Sequence, residues 1–269
     1  MPMSPIALRL LFLFALVSCR TTGVDVHLFD SQPQDVQGGH GLNQYEAPRL
    51  SSFADLGLEN VGQSFGGRID IPQENAHTTL KLISREYAGT GILTGDYTYE
   101  HEHIPTGSQV ATEFDFTWAS WQHTWDLLPS DNWDLGLGLG LGYLSLQTGI
   151  EDITPGGTGS SDGDDGWIPA ATLAGRLAYH NGPLSVSASL EWLASSLELG
   201  SLGQVDAELG DADFLVSYTV FQNSSGGLGL HAGFRDSYVI TNISENEEYG
   251  NAGIEYRQAY PYFGLSLFF

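Results

Sequence analysis

The sequence predicts an all-β protein, a closed antiparallel transmembrane β-barrel of about ten strands, with eight strands as the alternative. Segments that alternate apolar and polar residues recur from residue 61 to the end of the chain, with turn residues between them and almost no helical period. Several segments reach the about 9–11 residues that a tilted strand needs to cross a bilayer. The connections between them alternate between short turns and longer polar loops, which is typical of a barrel that spans a membrane.

Residues 1–18 have the composition of a signal peptide. Arg9 precedes the apolar stretch LLFLFALVS (10–18), which is too short to span a bilayer as a helix. Cys19, the only cysteine of the chain, follows directly. The stretch LVSC (16–19) resembles the lipobox of bacterial lipoproteins, and this resemblance implies that Cys19 carries acyl chains and is the mature N-terminus. The alternative is an ordinary signal peptide with a chance cysteine, and with either one the chain is exported.

Residues 19–60 are interpreted as an irregular periplasmic linker, and residues 61–269 as the barrel. The linker is polar, contains scattered glycine and proline, and has no period. Within the barrel, Gly89-Thr90-Gly91 predicts a hairpin turn, which favours ten strands over eight. The predicted strands are 61–71, 79–88, 92–102, 110–125, 133–150, 168–180, 184–196, 212–222, 228–241 and 252–269.

Two strands show the predicted faces most clearly. In 133–150 one face consists of leucines and Tyr143, and the other face consists of glycines. In 110–125 the aromatic residues Phe114, Phe116 and Trp118 are predicted to face outward, with the acidic residues inward. The alternative is a soluble, lipocalin-like barrel, which would place its large apolar residues inside.

The chain ends on YPYFGLSLFF, in which Phe263, Leu265, Leu267 and Phe269 share one face. From residue 61 to 269 the chain resembles small bacterial outer-membrane β-barrel proteins of the OmpA-, OmpX- and OmpW-like class, at the level of pattern and without a matching subfamily. The resemblance implies an integral protein of the outer membrane with a periplasmic N-terminus and with outer-membrane lipid as a partner. It also implies that these four residues form an insertion signal that is read by the barrel-assembly machinery.

The charge of the chain excludes one class of partner. It has 9 Lys and Arg against 33 Asp and Glu, a net charge of −24, so nucleic-acid binding is not expected. Asp162, Asp164 and Asp165 supply oxygen atoms that could bind Ca²⁺ weakly. No other metal or cofactor is expected.

A lumen filled by an ion network is predicted, because charged side chains that are buried must be paired. Counting along the predicted strands places these residues inward: Arg176, Arg235, Glu113, Asp115, Glu191 and Asp96. The predicted role is structural or surface-interacting, with a narrow channel for ions or small solutes as the alternative and a lipid-modifying enzyme as a third.

Two catalytic motifs known from outer-membrane enzymes are missing from the predicted barrel, residues 61–269. A resemblance to lipid A deacylases would imply a His-x-Ser pair, and the sequence contains none. Asp211 and Asp213 resemble half of the omptin-type protease site, but no Asp-x-His pair lies within the predicted barrel, residues 61–269. The sequence therefore predicts that the protein is not an enzyme.

Overall fold

A computed structural model of the chain describes residues 24–30, 37–43, 51–52, 54–58, 61–99, 102–128, 130, 132–157, 164–198, 204–224, 226–246 and 250–269. Within these residues there are fourteen strands and no helix. The strands are β1 Asp25–Asp30, β2 Gln37–Asn43, β3 Ser51–Ser52, β4 Val61–Pro72, β5 Ala76–Ile92, β6 Tyr97–Tyr99, β7 Glu102–Ile104, β8 Gln109–Asp126, β9 Trp133–Asp152, β10 Asp164–Asn181, β11 Leu184–Glu198, β12 Gln204–Asn223, β13 Gly226–Asn246 and β14 Gly250–Phe268.

Ten of these strands close into a ring. From β4 to β14, omitting the short pair β6 and β7, each strand pairs antiparallel with the next one along the chain. β1 closes the ring because Asp25 pairs with Phe268 of β14 on one side and with Asp70 of β4 on the other. β2 adds to the other end of β14, and β3 adds to β2. The predicted closed, antiparallel, all-β barrel is confirmed, with ten strands.

The first strand of the ring lies where the sequence indicated a linker. β1 and β2 both fall within residues 19–60, so the structure differs there from the expected irregular segment. Alternation over a six-residue strand such as β1 is too short a signal to detect in a polar segment, and its partner β14 is more than 200 residues away. The segment 92–102, predicted as a strand, contributes only to the separate hairpin of β6 and β7.

The predicted turn at Gly89-Thr90-Gly91 is also corrected. These residues lie inside β5, and the turn that precedes β5 is at 73–75. A Cβ atom at Gly89 or Gly91 would collide with the backbone of Gly57 or Asp55. The glycines therefore allow the segment 54–58 to approach β5 closely. Glycine permits tight turns as well as close backbone contact, and in β5 it serves the second purpose.

The outer surface of the barrel has an apolar band at the end where the short turns lie. On β9, Leu137, Leu139 and Leu141 are 57%, 55% and 61% exposed, while the glycines between them face the lumen. The apolar part of β9 runs from Trp133 to Tyr143 and spans roughly 25 Å, at a rise of about 3.4 Å per residue and a tilt of about 45°. This matches the hydrocarbon thickness that an outer-membrane barrel presents to lipid. Among the described residues, no helix is long and apolar enough to cross a membrane.

Beyond this band the same outward face becomes polar. On β9 the outward positions after Tyr143 are Ser145, Gln147, Gly149 and Glu151. The neighbouring strand β8 changes in the same way, from Trp125 and Trp121 in the band to Asp115 and Glu113 above it. The barrel is therefore taller than the membrane, and its long-loop half projects beyond the lipid.

Candidate functional site

The lumen of the projecting half is filled by an apolar cluster. Phe114, Phe116 and Trp118 are 1%, 2% and 1% exposed, and the ring of Phe116 stacks on that of Tyr256 at 5.0 Å. The cluster extends from β5 across to β14 and includes the loop segment 54–58 at the long-loop end. Its other members are Leu56, Leu58, Ile83, Tyr87, Leu93, Ile104, Val110, Leu144, Leu146, Ile150, Ala170, Leu193, Ala207, Leu209 and Val239.

This cluster corrects the predicted faces of the strand at 110–125. The aromatic residues predicted to be outward face the lumen, and Glu113 and Asp115 face outward. The reason is that the outer wall at this height meets water. As in a soluble barrel, the large apolar side chains therefore face the lumen and the charged ones face outward. Asp96, also predicted to lie in the lumen, is in the connection after β5, where its carboxylate accepts hydrogen bonds from Thr106 N at 3.0 Å and Thr106 Oγ1 at 2.8 Å.

The outward carboxylates on β5 and β8 repel one another. Glu86 lies directly across from Asp115, and Glu113 is two residues along the same face. Partial burial, and then the charges of Glu86 and Glu113, raise the pKa of Asp115 to about 6. Like charges at directly opposed positions destabilise a sheet.

We expect Asp115→Asn to stabilise the protein at neutral pH by about 1 kcal/mol or less, since the site is partly solvated. An acid whose folded pKa is raised binds more protons when folded, so wild-type stability should fall as pH rises from about 4 to about 6. The difference between wild type and variant in urea unfolding should shrink as pH falls through this range. As a control of opposite sign, Asp152→Asn should destabilise, because hydrogen bonds from Thr154 lower the pKa of Asp152. Equal unfolding free energies of Asp115→Asn and wild type at all pH values would contradict a raised pKa of Asp115.

A charged network fills the lumen within the apolar band. Arg235, fully buried, contacts Asp211 through Nε at 3.2 Å and Asp213 through Nη2 at 3.2 Å. Lys81 Nζ lies 3.1 Å from Asp211 Oδ2 and 3.8 Å from Glu191 Oε2. These side chains come from β5, β11, β12 and β13, so the network crosses the lumen and joins opposite walls.

Glu191 accepts hydrogen bonds from side chains of two other strands, β8 and β10. Its Oε2 accepts from Gln122 Nε2 at 2.5 Å and from Ser120 Oγ at 3.1 Å, and its Oε1 accepts from Thr172 Oγ1 at 3.0 Å. The indole Nε1 of Trp118 lies 3.4 Å from Oε2 and links the charged network to the apolar cluster above it. This carboxylate is therefore paired and solvated by protein groups, as a buried charge requires.

A second group of polar residues lies closer to the short-turn end. Arg68 lies between two carboxylates: its Nε is 2.6 Å from Asp70 Oδ2 and its Nη1 is 3.4 Å from Asp213 Oδ2. Ser266 Oγ lies 2.8 Å from His27 Nδ1 and 2.9 Å from His231 Nδ1. The Nε2 atom of His27 is 3.6 Å from Asp70 Oδ2. The hydroxyl of Ser266, the imidazole of His27 and the carboxylate of Asp70 come from three separate strands, so their proximity cannot be predicted from their spacing in the sequence.

One buried cation is held without a carboxylate among the described residues. The guanidinium of Arg85 donates to Tyr256 Oη and to Gln258 Oε1, and it lies 4.1 Å from the ring centre of Tyr260. Arg85 therefore relies on tyrosine and amide groups at the boundary between the charged network and the apolar cluster. The sequence prediction missed this residue, together with Arg68 and Lys81.

A cavity of about 740 Å³ opens at the short-turn end of the lumen. Arg176 lies on its wall and donates to Asp134 Oδ2 at 3.1 Å, and His180 Nε2 lies 3.3 Å from the same oxygen. The cavity is bounded on the inside by Arg68, Asp70 and His27 of the polar group described above. Of the residues predicted for an ion network, Arg235 and Glu191 lie at the centre of the lumen and Arg176 at this opening.

The remaining predicted site residues can be located in part. Phe263, Leu265 and Phe269 are exposed at the short-turn end, and Leu267 is partly buried against Val26 and Ile69. Cys19 and Asp162 lie outside the described residues, and the side chains of Asp164 and Asp165 at the start of β10 are not described. Within the described part of the chain, no group of three or more His, Cys, Asp or Glu side chains is arranged to hold a metal ion. The weak Ca²⁺ site stays a prediction.

The closed ring, the apolar outer band and the polar lumen at membrane depth define an integral β-barrel of the bacterial outer-membrane type. No protein-family model matches the chain, and no curated protein matches it.

Solved structures that the chain is similar to are outer-membrane barrels. They include the outer-membrane protease OmpT from Escherichia coli (11% identity, TM-score 0.46, 93% of this chain and 98% of that one). The transport unit of the autotransporter AIDA-I from Escherichia coli is another (11% identity, TM-score 0.33, 94% and 91%). A FadL homologue from Pseudomonas aeruginosa is a third (9% identity, TM-score 0.28, 92% and 89%). Similarity at this level concerns the fold alone and transfers no activity.

The prediction that the protein is not an enzyme is corrected to a narrower statement: one barrel of similar fold is an outer-membrane protease, so the fold does not exclude an enzyme. The prediction depended on missing sequence motifs. In a barrel, polar side chains from strands that are distant in the sequence can meet in the lumen, as those of Ser266, His27 and Asp70 do here. The absence of a motif is therefore no argument against catalysis in this fold.

Proposed function

We propose that the protein is a closed outer-membrane barrel with a structural or surface-interaction role, whose projecting half presents an acidic wall to the cell exterior. The short turns would face the periplasm and the longer connections the exterior, as in bacterial outer-membrane barrels. The N-terminus would then be periplasmic, because β1 begins at the short-turn end. Acylation of Cys19 and recognition of the C-terminal strand by the assembly machinery remain part of this proposal.

The observation that carries the proposal is the apolar cluster across the lumen. Its aromatic side chains are buried to 2% exposure or less, and the ion network lies directly beneath them. An ion that passed through would have to leave water and cross packed apolar side chains, which costs several kcal/mol or more. In this conformation the lumen supports a scaffold better than a pore.

The purified, folded protein is expected to give no stepwise conductance in planar bilayers. A general porin inserted under the same conditions serves as the positive control for the bilayer. A heat-unfolded sample of the protein serves as the negative control. Reproducible conductance steps from the folded protein that are absent from the unfolded sample would contradict a closed lumen.

A narrow channel for ions or small solutes remains the second candidate, and one observation favours it. The cavity at the short-turn end already provides a polar entrance that extends to Arg68 and Asp70. Conduction would then require the apolar cluster to move aside. The same bilayer recordings separate the two candidates.

A further inference from the structure

The cavity at the short-turn end holds charges that differ in how well they are paired. Arg68 and Asp70 face the cavity but are bound to each other at 2.6 Å, and Asp70 also accepts from Thr79 Oγ1 at 2.7 Å. His77 Nε2 lies 3.3 Å from the same carboxylate. Arg68, His77 and Asp70 are thus paired with one another by charge and form the inner wall, although Arg68 Nε and His77 Nε2 have no hydrogen-bond partner among the described residues.

Two other charged groups on the cavity wall could still form hydrogen bonds or ion pairs with a ligand. Among the described residues, the carboxylate of Asp25 has no hydrogen bond or ion pair at contact distance, and it interacts with the charges of Asp70, Arg176 and Arg68 only at longer range. Arg176 binds Asp134 through Nη1, but its Nε has no acceptor in the part of the chain that the structure describes. A buried or half-buried charge of this kind is costly unless a partner supplies the missing contact. The cavity therefore presents one anionic and one cationic position that a ligand could satisfy.

The wall between these positions is lined by neutral hydrogen-bonding groups. Ser185 and Ser187 of β11 and Ser217 and Thr219 of β12 all border the cavity. Hydroxyl groups can both donate and accept, which suits the N–H and C=O groups of a peptide backbone. The volume of about 740 Å³ lies within the range of about 300–1,000 Å³ that is usual for small-molecule sites.

We propose that this cavity binds a short peptide that carries a free ammonium group and a free carboxylate. The ammonium group is bound by Asp25 and the carboxylate by Arg176, with the serine and threonine hydroxyls along the peptide backbone. A singly charged solute would satisfy only one of the two positions. This inference goes beyond the structural role proposed above and does not depend on whether the lumen conducts.

The test uses the full-length folded protein in detergent and titration calorimetry with trialanine. Two blocked peptides are the matched ligands: N-acetyl-trialanine lacks the ammonium group, and trialanine amide lacks the carboxylate. We expect saturable binding of trialanine and at least tenfold weaker binding of each blocked peptide. Asp25→Asn should remove the preference for trialanine over the acetylated peptide, and Arg176→Gln should remove the preference over the amide.

Matched substitutions outside the cavity serve as controls. Asp115→Asn and Arg257→Gln change the same residue types on the outer wall and should leave binding unchanged. If Arg176→Gln does not fold, Arg176→Lys keeps the positive charge and should retain the preference for a free carboxylate. The inference is overturned if wild type shows no saturable binding of trialanine. It is equally overturned if the three peptides bind alike, or if the cavity variants bind like the outer-wall controls.

Discussion

Changing Arg235 to alanine is expected to lower the free energy of unfolding by about 3–5 kcal/mol, the cost of breaking a buried ion pair from one side. Arg235 is fully buried and lies between Asp211 and Asp213. Its removal leaves two carboxylates close together in the lumen, with Lys81 and Arg68 as the remaining cations. The measurement is the temperature at which the folded band converts to the unfolded one on a gel, together with urea unfolding in micelles.

The matched control is Arg257→Ala on the outer wall. Arg257 forms one contact of 3.1 Å with Asp236, and its side chain is 62% exposed. An exposed ion pair contributes about 0–1 kcal/mol, so this variant should unfold close to wild type. Arg176→Ala should fall between the two, because Asp134 is 34% exposed and water can reach the pair. If Arg235→Ala and Arg257→Ala had equal unfolding free energies, the lumenal network would carry no stability.

Changing Trp118 to alanine is expected to cost about 3–5 kcal/mol, the usual range for deletion of a large buried aromatic side chain. The indole lies over Gly142, where a Cβ atom would collide with its ring, so the neighbouring strand is shaped to receive it. The cavity that remains cannot be filled by a neighbour at that glycine. Trp118→Phe should cost less, because it keeps a six-membered aromatic ring and loses the five-membered ring with its Nε1 contact to Glu191. Urea unfolding in micelles measures both.

Trp121→Ala is the matched control, three residues along the same strand. Trp121 is 43% exposed on the apolar outer band, where lipid or detergent replaces the lost contacts. Its unfolding free energy should change much less than that of Trp118→Ala. The opposite ranking would mean that the faces of β8 are reversed and that the aromatic residues at 114–118 do not close the lumen.

Some features of the barrel can be predicted from the sequence because only one arrangement of the residues is possible. In β9 one face is leucine and the other is glycine, and only the leucines can meet lipid. The strand β14 is similar, since Phe263 and Leu265 alternate with smaller or polar residues up to the end of the chain. A long strand with a single apolar face has its register set by local sequence.

Other features depend on which solvent lies outside each part of the wall. Along β8 the residues alternate throughout, yet the outward face is apolar at Trp121 and acidic at Asp115. The apolar residues change from the outward face to the lumenal face where the barrel leaves the lipid. The sequence does not indicate at which residue this change occurs. This inversion is why Glu113 and Asp115 were predicted inward and lie outward.

The sequence by itself determined the class of protein: a closed antiparallel barrel with an apolar outer band, because backbone groups in lipid must pair completely and alternation reports which side is apolar. The tertiary structure alone decided how the ring closes and which charges meet inside it. Closure joins β1 to β14, and the lumen brings His27 to Ser266 and Lys81 to Asp211 across 239 and 130 residues of chain. Contacts of this separation depend on the curvature and register of the whole ring, which no local pattern of residues encodes.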